Sequence, residues 1–358
     1  MSASLPYTLD ELLMELGQRD GSDLHLKAGQ PPIMRIHGQL YRTDRPPLTD
    51  EQVQDLIYSI LSADRRQRFE QEWEVDAAYM IEGYARFRVN LYRQMEHVGA
   101  AMRLIPWNPR TIDELGLPEV LKDISLRPRG LVLVTGPSGC GKTTTLAAMI
   151  EHINAVAPRH IITIEDPVEY VHEDKAASIT QRQVGSDTRS FAEALRHVMR
   201  QNPDIILVGE MRDLETMALA VTAAETGHLV FSTVHTTDVA QTIDRVVDAF
   251  PSQQQQQIRM QMALTLEAVI CESLLPRADG QGRVAAFEIM TVNPAIRALI
   301  REGRTHQIYG IVQAGAEEGM ITFDQYLVGL YKRGLVTYEE ALSKASSPRD
   351  FEQLARTA

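Results

Sequence analysis

Cysteine is nearly missing: Cys140 and Cys271 are the only two in 358 residues. Two thiols cannot build a disulfide framework, and without a C-x-x-C pair there is no zinc module. Long apolar runs are also missing. The longest are about six residues, against the roughly 20 that a membrane-spanning helix needs. Residues 1–10 carry neither a basic n-region nor an apolar h-region, so no secretory signal is expected and the expected location is the cytosol. Positive charge is in deficit, with 48 Asp and Glu against 36 Lys and Arg, a net charge of −12. That balance argues against a large sequence-independent grip on nucleic acid, which needs clustered cations. The first hundred residues add no basic or aromatic stripe that would serve one. What remains is ordinary globular material, 44% hydrophobic and 23% charged, enough for two or three domains.

Within it, Gly136-Pro137-Ser138-Gly139-Cys140-Gly141-Lys142-Thr143 fits G-x-x-x-x-G-K-[ST] at every fixed position. The context is right as well. Leu131 to Val134 is an unbroken apolar run, as in a strand covered on both faces. From Thr144 to His152 the apolar residues recur at helical spacing. The glycines let successive N–H groups turn inward toward phosphate oxygens, with Ser138 and Thr144 on the same loop and helix start. Lys142 supplies charge to the outer phosphates and the Thr143 hydroxyl is placed for Mg²⁺. The expected ligands are a nucleotide and Mg²⁺.

Residues 1–105 read as a smaller α+β domain. Capping boxes at Thr8–Glu11 and Thr49–Gln52 open two helices. Alternating runs at Ser22–Lys27, Ile33–His37, Val75–Met80 and Ala85–Tyr92 predict strands, with His25 and His37 as solvent-facing strand histidines. Prolines at 106, 109 and 118 mark a linker over 106–118. Residues 119–358 read as an α/β phosphate-loop domain ending in helices, the region Ile258–Val269 being taken as an apolar helical stretch.

Open α/β sheets do their chemistry beyond the carboxyl ends of their strands. The strand His160–Ile164 ends in Glu165, Asp166 and Glu169, three candidates to orient or deprotonate a water. The run Asp204–Glu210 is acidic at both ends. Only the carboxyl end lies near the phosphate loop, so Glu210 is the metal-side acid and Asp204 a structural one. Gly227–Val234 delivers His235 to the same edge, where phosphate sensing and plain hydrogen bonding both remain open. His228 falls at the opposite end of that strand. Cys140, at a helix start two residues before Lys142, is either a small side chain that the loop requires or a thiol activated by nearby positive charge.

Taken together the motifs resemble the secretion ATPase superfamily, and within it the PilT family of type IV pilus retraction motors. Thr163–Glu169 resembles the family's Asp box, Asp204–Asp213 its Walker B segment and Thr222–Thr236 its His box. Ala295-Ile296-Arg297-Ala298-Leu299-Ile300 resembles the AIRNLI motif of retraction motors, with Ala298 in place of Asn. The resemblance implies a RecA-like ATPase domain behind a PAS-like N-terminal domain, with ATP between the two. It implies Glu169 as catalytic base, Glu210 at Mg²⁺, His228 and His235 in nucleotide sensing, and Arg88 and Arg103 as arginine fingers. It further implies a homohexamer at the inner face of the cytoplasmic membrane, driving an inner-membrane platform protein of the PilC kind, with a PilU-like accessory ATPase as a further partner. A PilU-like accessory protein, or an extension or type II secretion ATPase, is the alternative; the latter relatives usually carry the four-cysteine zinc module absent here.

Overall fold

The computed structural model describes residues 5–105 and 109–357. Residues 1–4 and three positions of the predicted linker, Pro106, Trp107 and Asn108, lie outside them. The chain divides into two compact units: residues up to 108 with Glu169–Val171, and Pro109–Val168 with His172–Ala358.

The first unit is an antiparallel sheet of β1 (Gly21–Lys27), β2 (Ile33–Ile36), β3 (Gln39–Arg42), β4 (Glu74–Ile81), β5 (Ala85–Gln94) and β6 (His97–Ile105), in the order β3-β2-β1-β6-β5-β4. Three helices, α1 (Leu9–Gln18), α2 (Asp50–Tyr58) and α3 (Ala63–Glu72), join it. Both predicted capping boxes form, Thr8 with Glu11 and Thr49 with Gln52. Strand alternation sorts the side chains. Leu24, Leu26, Phe87, Val89, Leu91 and Met102 are buried in one core with Leu12 and Leu16 of α1 and Val53 of α2. Residues one position out of step, Asp23, Arg35, Arg88 and Arg103, share the other sheet face. His37 sits in the β2–β3 turn with φ 48, outside the strand. His25 departs from the expectation of a solvent-facing histidine: its Nε2 is buried without a hydrogen-bond partner among the described residues.

The second unit is built on β7 (Gly130–Thr135), β8 (His160–Glu165), β9 (Ser178–Gln183), β10 (Ile205–Val208), β11 (Leu229–Val234), β12 (Leu266–Pro276) and β13 (Arg283–Thr291). The order is β13-β12-β7-β11-β10-β8-β9, parallel throughout except for the β12–β13 pair. Helices α4 (Val120–Ser125), α5 (Lys142–Val156), α6 (Phe191–Val198), α7 (Leu214–Glu225), α8 (Val239–Asp248) and α9 (Ser252–Thr265) intervene. Beyond the sheet come α10 (Pro294–Glu302), α11 (Ile308–Ala314), α12 (Phe323–Lys332), α13 (Tyr338–Lys344) and α14 (Pro348–Thr357). The central strands β7, β10 and β11 are buried at every residue, which is why they read as unbroken apolar runs. One expectation fails here. The supposed helical stretch Ile258–Val269 changes state inside itself, with α9 ending at Thr265 and β12 starting at Leu266. The join is braced by Arg297 of α10, whose Nη1 donates to the carbonyls of Ala263 (2.7 Å) and Leu264 (3.0 Å) and whose Nη2 donates to Glu267 (2.7 Å). Among the described residues no helix is long and apolar enough to cross a membrane.

Candidate functional site

The loop from Gly136 to Gly141 leaves the carboxyl end of β7 and enters α5 at Lys142. Gly136, Gly139 and Gly141 take φ values of 142, 76 and 114, a region that side chains strongly disfavour. Space is a second constraint. A Cβ on Gly136 would lie 2.2 Å from the Glu272 carbonyl oxygen, and one on Gly141 would lie 2.2 Å from the Glu272 carboxylate. Lys142 is buried, its Nζ donating to the carbonyls of Gly136 (2.8 Å) and Pro137 (3.0 Å), so its charge is held at the mouth of the loop. Ser138 is exposed, and Thr143 and Thr144 are partly so at the helix start.

The neighbouring strands deliver the other groups to this edge. Thr135 Oγ1 donates to the Thr236 carbonyl and accepts from the Thr236 N–H, both at 2.8 Å, which fixes the end of β11 and His235 beside the loop. Thr233 Oγ1 donates to the Gly209 carbonyl (2.6 Å) and the Met211 N–H donates to the Thr233 carbonyl (3.0 Å). Glu210 is held between those two bonds. Its carboxylate lies 2.7 Å from Arg212 Nε and 3.7 Å from His235 Nε2. An open cavity of about 520 Å³ is lined by Pro137, Ser138, Arg212, His235, Thr236 and Thr237. Loop, acid and imidazole therefore meet at one sheet edge.

Other predicted residues are placed differently. The His228 carbonyl accepts from the Gly130 N–H at the start of β7, and its Nδ1 lies 2.9 Å from the Ala223 carbonyl. The six residues of β11 separate His228 from His235, a span of roughly 23 Å along the strand, so the geometry does not bring His228 to this loop. Asp204 is structural as expected, accepting the His160 N–H at 2.8 Å. Glu165 is buried and accepts from Thr163 Oγ1 (2.7 Å) and Gln181 Nε2 (3.1 Å), which commits it to the fold. Glu169 is exposed on the loop after β8. In the first unit Arg88 is exposed, and Arg103 donates from Nε to Asp23 Oδ1 at 2.8 Å with its side chain 68% exposed. Cys140 is buried, and burial, reinforced by Glu272, pushes its thiol up despite Lys142. That overturns the activated-thiol reading and leaves the small-side-chain one.

Two further participants escape a reading of the sequence. Glu272 of β12 lies under the loop, accepting from Thr145 Oγ1 at 2.8 Å, and burial raises its carboxyl to about 7. Arg212 reaches Glu210 from only two residues away. The signal for Glu272 was a lone acid inside the apolar run Val269–Leu275. Among the described residues no three or more His, Cys, Asp or Glu gather as a metal cluster.

Comparison with known proteins adds four likenesses. The family described as Type II/IV secretion system protein matches residues 2–325. The chain is 51% identical over 343 residues to the type IV pilus retraction ATPase PilT of Pseudomonas aeruginosa, covering 96% of this chain and 99% of that one. It is 41% identical over 341 residues to the type IV pilus ATPase PilU of the same organism, covering 95% and 89%. The crystal structure of the pilus retraction motor PilT with bound ADP superposes with a TM-score of 0.91 at 45% identity, covering 97% of this chain and 99% of the other.

Proposed function

This chain belongs to the Type II/IV secretion system protein family and is a type IV pilus retraction ATPase, and we propose that it works as a homohexameric ring at the inner face of the cytoplasmic membrane. The observation that carries the chemistry is the meeting of the Gly136–Thr143 loop, Glu210 and His235 at one edge of a parallel sheet. In this reading the loop N–H groups and Lys142 hold the phosphates of ATP. Thr143 and Glu210 offer the oxygen donors that Mg²⁺ prefers, one from a helix start and one from a carboxylate beside it. A Mg²⁺ ion held by these two residues would supply positive charge to the phosphates.

Glu169 takes the proton of the attacking water, and His235, beside Glu210, registers the outer phosphate. Arg88 and Arg103 of the first unit supply guanidinium charge as it develops on the transferred group. Residues 1–105 and 119–358 act as the working domains, joined by 106–118. Their relative motion turns a platform protein of the PilC kind, so that pilin leaves the fibre. The identity is 51% with PilT against 41% with PilU, which favours retraction proper over the accessory role. The test is pilus retraction in cells deleted for this protein. Complementation by the intact chain and failure by Lys142→Ala are expected. Retraction restored equally by Lys142→Ala would refute the motor reading.

A further inference from the structure

One turn of α5 carries a buried acid that the mechanism above does not use. Glu151 lies nine residues after Lys142 on the same helix, with a side chain only 4% exposed. Its Oε2 is 3.1 Å from His172 Nδ1, a side chain equally buried, and its Oε1 pairs with Lys175. Asn154, one turn on, donates from Nδ2 to the Glu173 carbonyl (2.7 Å) and accepts the Lys175 N–H at Oδ1 (3.0 Å). Its own carbonyl accepts the Ala176 N–H at 2.8 Å. Burial alone would raise the Glu151 carboxyl, but hydrogen bonds from His172, Lys175 and Asn154 outweigh it and hold the pKa down. The carboxylate therefore stays charged inside the fold, where an unpaired charge is strongly disfavoured.

What these bonds secure is the far shoulder of the loop that follows β8. The near shoulder is secured separately. Val168 is buried and its N–H donates to Gln183 Oε1 at 3.4 Å, while Gln181 spans both shoulders, donating to Glu165 (3.1 Å) and accepting the far-shoulder His172 N–H (3.0 Å). Between the two shoulders lie only Glu169, Tyr170 and Val171. We infer that Glu151 and Asn154 are positioning residues for Glu169, tying its loop to the helix that begins with the phosphate-binding Lys142.

The inference rests on the reading of Glu169 as the base. Through α5 the phosphate grip shares one compact unit with Val168 and His172, the residues on either side of Glu169–Val171, so both ends of the segment that carries the base are fastened to the body that holds Lys142. A misplacement of about 1 Å costs roughly 10²-fold in rate.

The experiment is steady-state ATPase kinetics on the full chain. Glu151→Gln should lower kcat at least tenfold while leaving the KM for ATP within about twofold, because the phosphate loop itself is untouched. Lys175→Ala, which removes a half-exposed partner of Glu151, should lower kcat less and by the same pattern, and it serves if Glu151→Gln does not fold. The double variant Glu151→Gln/Glu169→Gln should be no slower than Glu169→Gln alone. Losses that multiply in the double variant, or a Glu151→Gln effect confined to KM, overturn the proposal. A slow Glu169→Gln beside a normal Glu151→Gln defeats the positioning role only. A Glu169→Gln enzyme with near-normal turnover defeats the reading of Glu169 and the proposal with it.

Discussion

Arg88 and Arg103 stand directly opposite each other on β5 and β6, two like charges in cross-strand register. Such a pairing is destabilising by itself. The buried Asp23 relieves it, opposite Arg103 on β1, bonded to Arg103 and 3.6 Å from Arg35 of β2. One acid thus holds two of the three arginines in a row on the polar face of the first sheet, Arg35 and Arg103.

Asp23→Asn should destabilise the first unit by about 1–2 kcal/mol at pH 7, the mutual repulsion being partly screened because Arg103 is largely exposed. The pH dependence has a definite sign. Burial raises the Asp23 carboxyl, but its bonds from Ser22 and Arg103 prevail and the pKa is lowered. A depressed acid gives stability above its unfolded pKa of about 3.9 and loses it as pH falls through the folded value. Urea melts of both proteins should therefore differ at pH 7 and converge in acid, once the pH has fallen below the lowered folded value.

If the two arginines act at nucleotide bound to a neighbouring subunit, the defects are separable. Arg103→Ala and Lys142→Ala should each cut ATPase activity about 10³-fold or more. Rings mixed from the two variants should regain measurable turnover, since some interfaces hold an intact arginine and an intact loop. Mixtures that never exceed either parent argue against action across subunits.

Two buried acids of the second unit work in the opposite direction from Asp23. Burial raises both Glu272 and Glu288 to about 7. Between the unfolded value of about 4.3 and the folded one, the native state keeps a proton that the unfolded chain has released. Their contribution is complete in acid and lost as pH rises through 7. Glu272→Gln and Glu288→Gln should each stabilise the second unit at pH 8, on the order of 2–3 kcal/mol, with little difference at pH 4. Thermal melts across that range check it. Equal stability of wild type and variants at pH 8 is the contrary result.

For Cys140 the expectation is inertness. A buried thiol with a raised pKa reacts slowly, so an alkylating reagent at pH 7 should modify the native chain at neither cysteine and the denatured chain at both. Rapid modification of the native protein that disappears in Cys140→Ser would reverse that conclusion.

The phosphate loop was legible because its chemistry is local: the glycines, Lys142 and Thr143 sit within eight residues, between a buried strand and a helix. The helix starts were legible for the same reason, since a cap and its partner are three residues apart. Strand β6 was not, because its run through Gly99, Ala100 and Ala101 is poor in strand-forming residues. Strand β12 was hidden by continuity with α9, as a short buried apolar run has no period that separates helix from strand. Glu272 and Glu151 escaped for another reason. Their partners lie 127 residues away at Thr145 and 21 to 24 away at His172 and Lys175, and no spacing rule reaches that far. The facing of Arg88 and Arg103 exists only once two strands have found their register.

Arg297 spans the change from α9 to β12, gathering two helix-end carbonyls and a strand carboxylate with one guanidinium. Ile296 and Ile300 of the same helix are fully buried. The segment Ala295–Ile300 thus divides its labour, with three side chains serving the chain's own architecture. Ala298 takes part in none of those polar bonds. Exchange of Asn for Ala at that half-buried position leaves the Arg297 bonds and the two buried isoleucines in place, so the fastening of α10 through them does not depend on the residue by which this segment departs from the retraction motif.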